Sequence, residues 1–147
     1  MLLDIYYLRL KVNIFLFFCN FQVRFLDVRN NRLSRLSNLT LSGLQQAEVV
    51  DLSLNRITSV QPEAFSGFHH IRELDLSFNK LRTIKSGAFR GCLTLKTLKM
   101  RSAGVQFIEA HGLDDFVALV ELDLRYGNTG YGVSSPGIQN PFVVCLY

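Results

Sequence analysis

One spacing constrains this chain more than any other feature: the same set of apolar positions returns every 24 residues, as 55 − 31 = 24 and 79 − 55 = 24 show. The clearest copy is Ile71, Leu74, Leu76, Asn79 and Leu81, with apolar residues at places one, four, six and eleven and an asparagine at place nine. Two earlier copies read Val23, Leu26, Val28, Asn31, Leu33 and Ala47, Val50, Leu52, Asn55, Ile57. A later one, Leu95, Leu98, Met100, Ala103, Val105, has lost the asparagine, and a fifth begins at Leu119, Leu122 and Leu124. A fixed period of this length marks a stack of like units, none of which can bury its apolar face alone.

These places resemble the L-x-x-L-x-L-x-x-N-x-L signature of the leucine-rich repeat. The segments Pro62 to Phe68 and Ser86 to Cys92 resemble the return segments of the extracellular 24-residue type found in Toll-like receptors and adhesion ectodomains. The resemblance implies an α/β solenoid: a leucine-rich repeat horseshoe fragment with a parallel concave sheet and an irregular convex side. Residues 23–126 would form the repeats, and residues 127–147, rich in turn formers from Gly127 to Gly137, an irregular C-terminal tail whose end folds back onto the final strand. Residues 1–22 are a degenerate first repeat or an N-terminal cap. Ile5, Leu8, Leu10, Asn13 and Phe15 fit the template, although the step from Ile5 to Val23 is 18. A signal segment there would need a longer apolar run and a small-residue cleavage site.

Given one strand per repeat, side-chain alternation sends places four and six to one side, which becomes the core. The place-nine amide can turn inward and satisfy backbone groups that would otherwise be buried without partners. Place fourteen (Leu36, Val60, Ile84, Ile108) and place nineteen (Leu41, Phe65, Phe89, Leu113) should form an outer spine. Gly43, Gly67 and Gly91 at place twenty-one should turn the chain back toward the next strand. At Ala103 and Gly127 the asparagine is missing, so water, Ser102 or Asn128 must compensate. Cysteine-rich caps common in extracellular arrays are also missing.

The remaining composition argues mainly by exclusion. The three cysteines Cys19, Cys92 and Cys145 cannot all pair within the chain and lack zinc-ligand spacing, and Cys92 reads as a buried small side chain. The apolar run from Val12 to Phe18 is too short for a membrane helix. His69, His70 and His111, the last near Asp114 and Asp115, have no nucleophile or metal partner at a diagnostic spacing. The expectation is therefore a non-enzymatic module without cofactor, metal or nucleic-acid partner.

Function is expected on the outward places of the strands. Place five reads Asp27, Asp51, Asp75, Lys99, Asp123 and place seven reads Arg29, Ser53, Ser77, Arg101, Arg125. Asp and Ser follow the family default and read as structural, whereas Lys99, Arg101 and Arg125 depart from it. No acidic residue occurs between Leu76 and Ile108, which hold Lys80, Arg82, Lys85, Arg90, Lys96, Lys99 and Arg101 and suggest a basic surface. Phe25 at place three, with Leu54, Phe78 and Tyr126 at place eight, are candidate anchors for a protein partner. The expected partner-binding set is Phe25, Arg29, Leu54, Phe78, Lys99, Arg101, Arg125 and Tyr126. Asn38-Leu39-Thr40 is an N-glycosylation sequon away from the strands. The leading reading is an extracellular or cell-surface receptor-like glycoprotein binding a protein or acidic glycan on its concave face. The alternatives are a cytoplasmic scaffold and a truncated piece without independent function.

Overall fold

A computed structural model describes residues 7–9, 23–38, 41, 43–126 and 144–146, the first and last of these as backbone only. Seven strands form one parallel sheet, in the order β1 (Tyr7–Arg9), β2 (Phe25–Asp27), β4 (Val49–Asp51), β6 (Glu73–Asp75), β8 (Thr97–Lys99), β10 (Glu121–Asp123) and β11 (Val144–Leu146). From β2 to β10 each register step is 24: Leu26 faces Val50, which faces Leu74, then Leu98, then Leu122. At one end Leu8 of β1 faces Leu26, a step of 26 − 8 = 18, the same as that between Ile5 and Val23. Ile5, Leu10, Asn13 and Phe15 themselves lie outside the described residues. At the other end β11 adds to β10 inside the stretch expected to be an irregular tail.

The strands are three residues long because backbone pairing continues past them in another form. Place-six amides donate to the place-five carbonyl of the next turn, as in Val28 N–H to Asp51 O at 2.9 Å and Leu76 N–H to Lys99 O at 2.7 Å. Place-eight amides then donate to the next place-seven carbonyl, as in Leu54 to Ser77 at 3.0 Å and Phe78 to Arg101 at 2.8 Å. Between these bonds the chain adopts a left-handed conformation at place eight of the five repeats from Val23 to Tyr126: Asn30, Leu54, Phe78, Ser102 and Tyr126 have φ between 52° and 57°. For residues other than glycine that region costs of order 1 kcal/mol each, so the lateral bonds and the asparagine behind it must hold it.

The asparagine ladder is the strongest polar element of the interior. Asn55 donates from Nδ2 to Val28 O (3.0 Å), Leu52 O (3.0 Å) and Ser53 O (3.1 Å), and its Oδ1 accepts from Leu33 N–H at 3.1 Å. Asn79 repeats the arrangement one turn on, donating to Leu52, Leu76 and Ser77 carbonyls and accepting from Ile57 N–H at 2.9 Å. At Ala103 no amide exists to continue it. There Ser102 N–H keeps the usual bond to the place-seven carbonyl, Arg125 O (2.9 Å), and adds one to Tyr126 O (2.8 Å), and Gly104 follows at φ 76° beside the backbone of Lys80 and Leu81.

Places one, four and six are buried in every described repeat from Val23 to Leu124, and one apolar cluster runs the length of the stack. Its outer side is a phenylalanine column: Phe65 lies 5.7 Å from Phe68 and 5.9 Å from Phe89, which lies 5.0 Å from Phe116. Place twenty-two (Leu44, Phe68, Cys92, Phe116) contributes to this column as fully as place nineteen does. Burial, and secondarily Asp115, pushes the Cys92 thiol far above its usual range, so it behaves as a small apolar side chain.

Separate from the long sheet are two short parallel pairs, β3 (Arg35–Leu36) with β5 (Ser59–Val60), and β7 (Thr83–Ile84) with β9 (Phe107–Ile108). Among the described residues there is no helix, so the expected α/β class is met only in its parallel solenoid. The physical reason is local. Three return segments are interrupted by a left-handed residue at place seventeen, namely Glu63 at φ 64°, Gly87 at 70° and His111 at 64°. The expected role of the place-twenty-one glycines also divides. Gly43 and Gly91 have φ of 84° and 98°, whereas Gly67 does not adopt a positive φ and its missing Cβ would meet only the flexible Gln45 side chain.

Candidate functional site

The outward face of the long sheet is built by strand alternation: in β4, β6 and β8 the middle residue is buried and its two neighbours half-buried. The place-five aspartates are tied into the backbone of this face. Asp51 Oδ1 accepts from Ser53 N–H (2.9 Å) and Ser53 Oγ–H (2.6 Å), Asp75 Oδ1 from Ser77 N–H (2.8 Å), and Asp123 Oδ1 from Arg125 N–H (3.0 Å). Each satisfies an amide exposed by the turn after the strand, which accounts for Asp at this place.

The cations expected to bind a partner mostly have partners already. Arg29 pairs with Asp27 at 3.1 Å and approaches Asp51 at 3.8 Å. Arg125 grips buried Asp123 through Nε (2.9 Å) and Nη2 (2.6 Å). Arg125's hydrogen bonds hold the Asp123 carboxyl below the usual carboxylate range, and the same contacts raise the guanidinium. Lys99, standing where the other repeats have Asp, bonds to Glu73 on the neighbouring strand, and chiefly that bond raises its pKa. Arg101 is the exception: its guanidinium lies 4.7 Å from the centre of the Tyr126 ring, and it forms no ion pair among the described residues.

The expected apolar anchors are exposed: Phe25 44%, Leu54 50%, Phe78 47% and Tyr126 65%. The left-handed turn at place eight explains three of them, because it turns that side chain outward while the next one turns in. Phe78, Arg101 and Tyr126 come from successive turns and form one neighbourhood, linked by the Phe78 N–H to Arg101 O bond. Phe25 stands on β2, with β4 between it and β6, and does not join them.

The basic run between Leu76 and Ile108 does not form one surface. A period of 24 carries the chain once around the stack, so neighbours in sequence point in different directions. Lys99 and Arg101 face outward from the long sheet, Lys80 and Arg82 lie where the chain leaves it, and Arg90 lies on the return side, paired with Glu63 at 3.0 Å. Asn38 is exposed in a turn, and its sequon partner Thr40 lies outside the described residues. His111 Nδ1 lies 2.5 Å from Asp114 Oδ2 in an exposed turn. Among the described residues no group of three or more His, Cys, Asp or Glu could hold a metal, and no helix is long and apolar enough to cross a membrane.

A family model described as leucine rich repeat matches residues 22–81 and 69–128. A search among curated proteins found no match. Among solved structures, the chain is similar to the "Crystal structure of TLR13-ssRNA13 complex", at 24% identity and a TM-score of 0.32 over 65% of this chain. The chain spans about a fifth (20%) of the length of that structure, and the single-stranded RNA is a ligand of that protein.

Proposed function

Because the chain belongs to the leucine-rich repeat family, we propose that it is a non-enzymatic protein-binding module of receptor or adhesion type, engaging its partner with the outward face of the long sheet. By family resemblance this is the concave face. The observation that carries the reading is the cluster of exposed Leu54, Phe78 and Tyr126 with Arg101 stacked on the last. Aromatic and arginine side chains are the residues on which protein interfaces most often depend.

The charge of the face favours a protein over a polyanion. Its outward strand places carry Asp27, Asp51, Glu73, Asp75, Glu121 and Asp123 against Arg29, Lys99, Arg101 and Arg125, and three of these four cations are already paired. A nucleic acid or sulfated glycan laid there would meet more carboxylate than free cation. An extracellular or cell-surface location is part of the proposal, supported by the repeat type and the exposed Asn38 of the sequon.

The test is a binding screen of the chain against a panel of purified receptor and adhesion ectodomains. Each binder is re-measured with Phe78→Ala/Arg101→Glu and with Lys85→Glu on the return side. Loss of at least tenfold in the double variant alone supports the reading; equal behaviour of all three proteins removes it. Secretion with an enzymatically removable glycan at Asn38 supports the location, whereas a secreted product without one counts against the glycoprotein part.

A further inference from the structure

The turns that follow the strands of the long sheet carry a second surface, set apart from the face described above. In the first three full repeats these turns read Asn31 to Leu36, Asn55 to Val60 and Asn79 to Ile84. They contain no Asp or Glu, and they contain Arg32, Arg35, Arg56, Lys80 and Arg82. All five cations are exposed, and none forms an ion pair among the described residues. This differs from the sheet face, where Arg29, Lys99 and Arg125 are each matched to a carboxylate.

Stacking aligns these cations across the repeats. Arg56 N–H donates to Leu33 O and Lys80 N–H to Ile57 O, both at 2.9 Å, so the three place-ten residues Arg32, Arg56 and Lys80 stand on directly bonded turns. Two places later Thr58 N–H bonds Ser34 O at 2.9 Å, and Arg82 holds the same place one 24-residue step further on, its carbonyl bonded in turn by Gln106 N–H at 2.9 Å. With turns about 4.8 Å apart, the place-ten row is a line of positive charge about 10 Å long. It ends at the fourth repeat, where Ala103 to Ile108 carries no charge.

We propose that this edge, formed by Arg32, Arg35, Arg56, Lys80 and Arg82, binds a sulfated polysaccharide. Guanidinium forks and a lysine at regular intervals suit a linear chain of fully ionised oxyanions. Ser34 and Thr58, exposed between the cations, match the hydroxyl-bearing polymer between its sulfates. Single-stranded nucleic acid, the other linear polyanion, is recognised largely by stacking bases on aromatic side chains. These three turns contain no aromatic residue at all. The site is independent of the protein-binding reading, because it uses none of the residues assigned to that face.

The experiment is titration of the chain with a heparin-derived octasaccharide at two salt concentrations, with hyaluronan and poly(U) as comparison polymers. Binding to the octasaccharide is expected to weaken with salt and to exceed hyaluronan binding by at least tenfold. Arg56→Glu/Lys80→Glu/Arg82→Glu should weaken it tenfold or more, while Lys99→Glu/Arg101→Glu should change it by less than about twofold. Circular dichroism checks that each variant is folded. If charge reversal unfolds the chain, Arg56→Gln/Lys80→Gln replaces it, with an expected loss of at least threefold. Unchanged binding in the edge variant, a larger loss in the sheet-face variant, or poly(U) binding as tight as the octasaccharide would each overturn the proposal.

Discussion

Replacing Asn79 with alanine should cost this chain about 3 to 4 kcal/mol. The side chain is 8% exposed, and its amide serves three carbonyls, Leu52 O at 3.1 Å, Leu76 O at 2.9 Å and Ser77 O at 3.3 Å. Two amide hydrogens cannot make three full bonds, so they count as two, and Oδ1 accepts one more from buried Ile57 N–H at 2.9 Å. Three bonds at a net value near 1 kcal/mol each give about 3, and leaving the Ile57 amide unpartnered adds to it. Asn31 is the internal control. It is half-buried where Asn79 is buried, so water can replace part of what its removal loses, and Asn31→Ala should cost at least about 1 kcal/mol less than Asn79→Ala. Asn79→Asp keeps the acceptor for Ile57 but turns a donor toward three carbonyls into a carboxylate, and it should be at least as damaging as Asn79→Ala at pH 7. Urea unfolding followed by far-ultraviolet circular dichroism measures all three, with the m value checked for constancy. Equal costs for Asn79→Ala and Asn31→Ala, or an Asn79→Ala cost under about 1 kcal/mol, would refute the ladder as a main source of stability.

Two further outcomes follow from geometry elsewhere. Gly91→Ala should destabilise by about 2 kcal/mol or more in the same assay, since φ is 98° and a Cβ would stand 2.8 Å from Phe65 O, whereas Gly67→Ala, with no positive φ and only the Gln45 side chain to turn aside, should cost less than Gly91→Ala. The depressed pKa of Asp123 makes its pair with Arg125 stabilising above the unfolded carboxylate value near 3.9, with the contribution lost as pH falls through the lower folded value. Asp123→Asn should therefore lower the thermal midpoint at pH 7, and the difference from wild type should shrink as pH is taken toward 2.

The repeat itself was legible because its determinants are local. Apolar places one, four and six fix one strand per 24 residues, and all of them are buried from Val23 to Leu124. Place nine was legible for the same reason, and the structure adds that Asn55 and Asn79 also reach into the preceding turn. The exposure of Leu54, Phe78 and Tyr126 followed from position alone. What the sequence hid was pairing between turns. Nothing in the run from Leu76 to Ile108 says that Lys99 meets Glu73 or that Arg90 meets Glu63, because those contacts lie 26 and 27 residues away around the solenoid. The row Arg32, Arg56, Lys80 was hidden in the same way: its members are 24 apart, and a scan for charge along the chain passes over them. The absence of helix among the described residues and the ordinary backbone of Gly67 were beyond sequence reasoning because both depend on the conformation of the return segments, where residue identity varies from copy to copy.

The shared left-handed backbone at place eight gives the molecule a row of interchangeable letters. Asn30, Leu54, Phe78, Ser102 and Tyr126 differ in size, polarity and shape, yet φ varies by only 5° among them, from 52° to 57°. The scaffold reads none of these side chains, so the surface text can be rewritten one letter at a time without editing the interior. The alphabet has one grammatical restriction: none of the five is β-branched or proline, the residue types least tolerant of that region. A lineage built on this array could therefore change what it recognises by single substitutions in that row while its fold stayed silent.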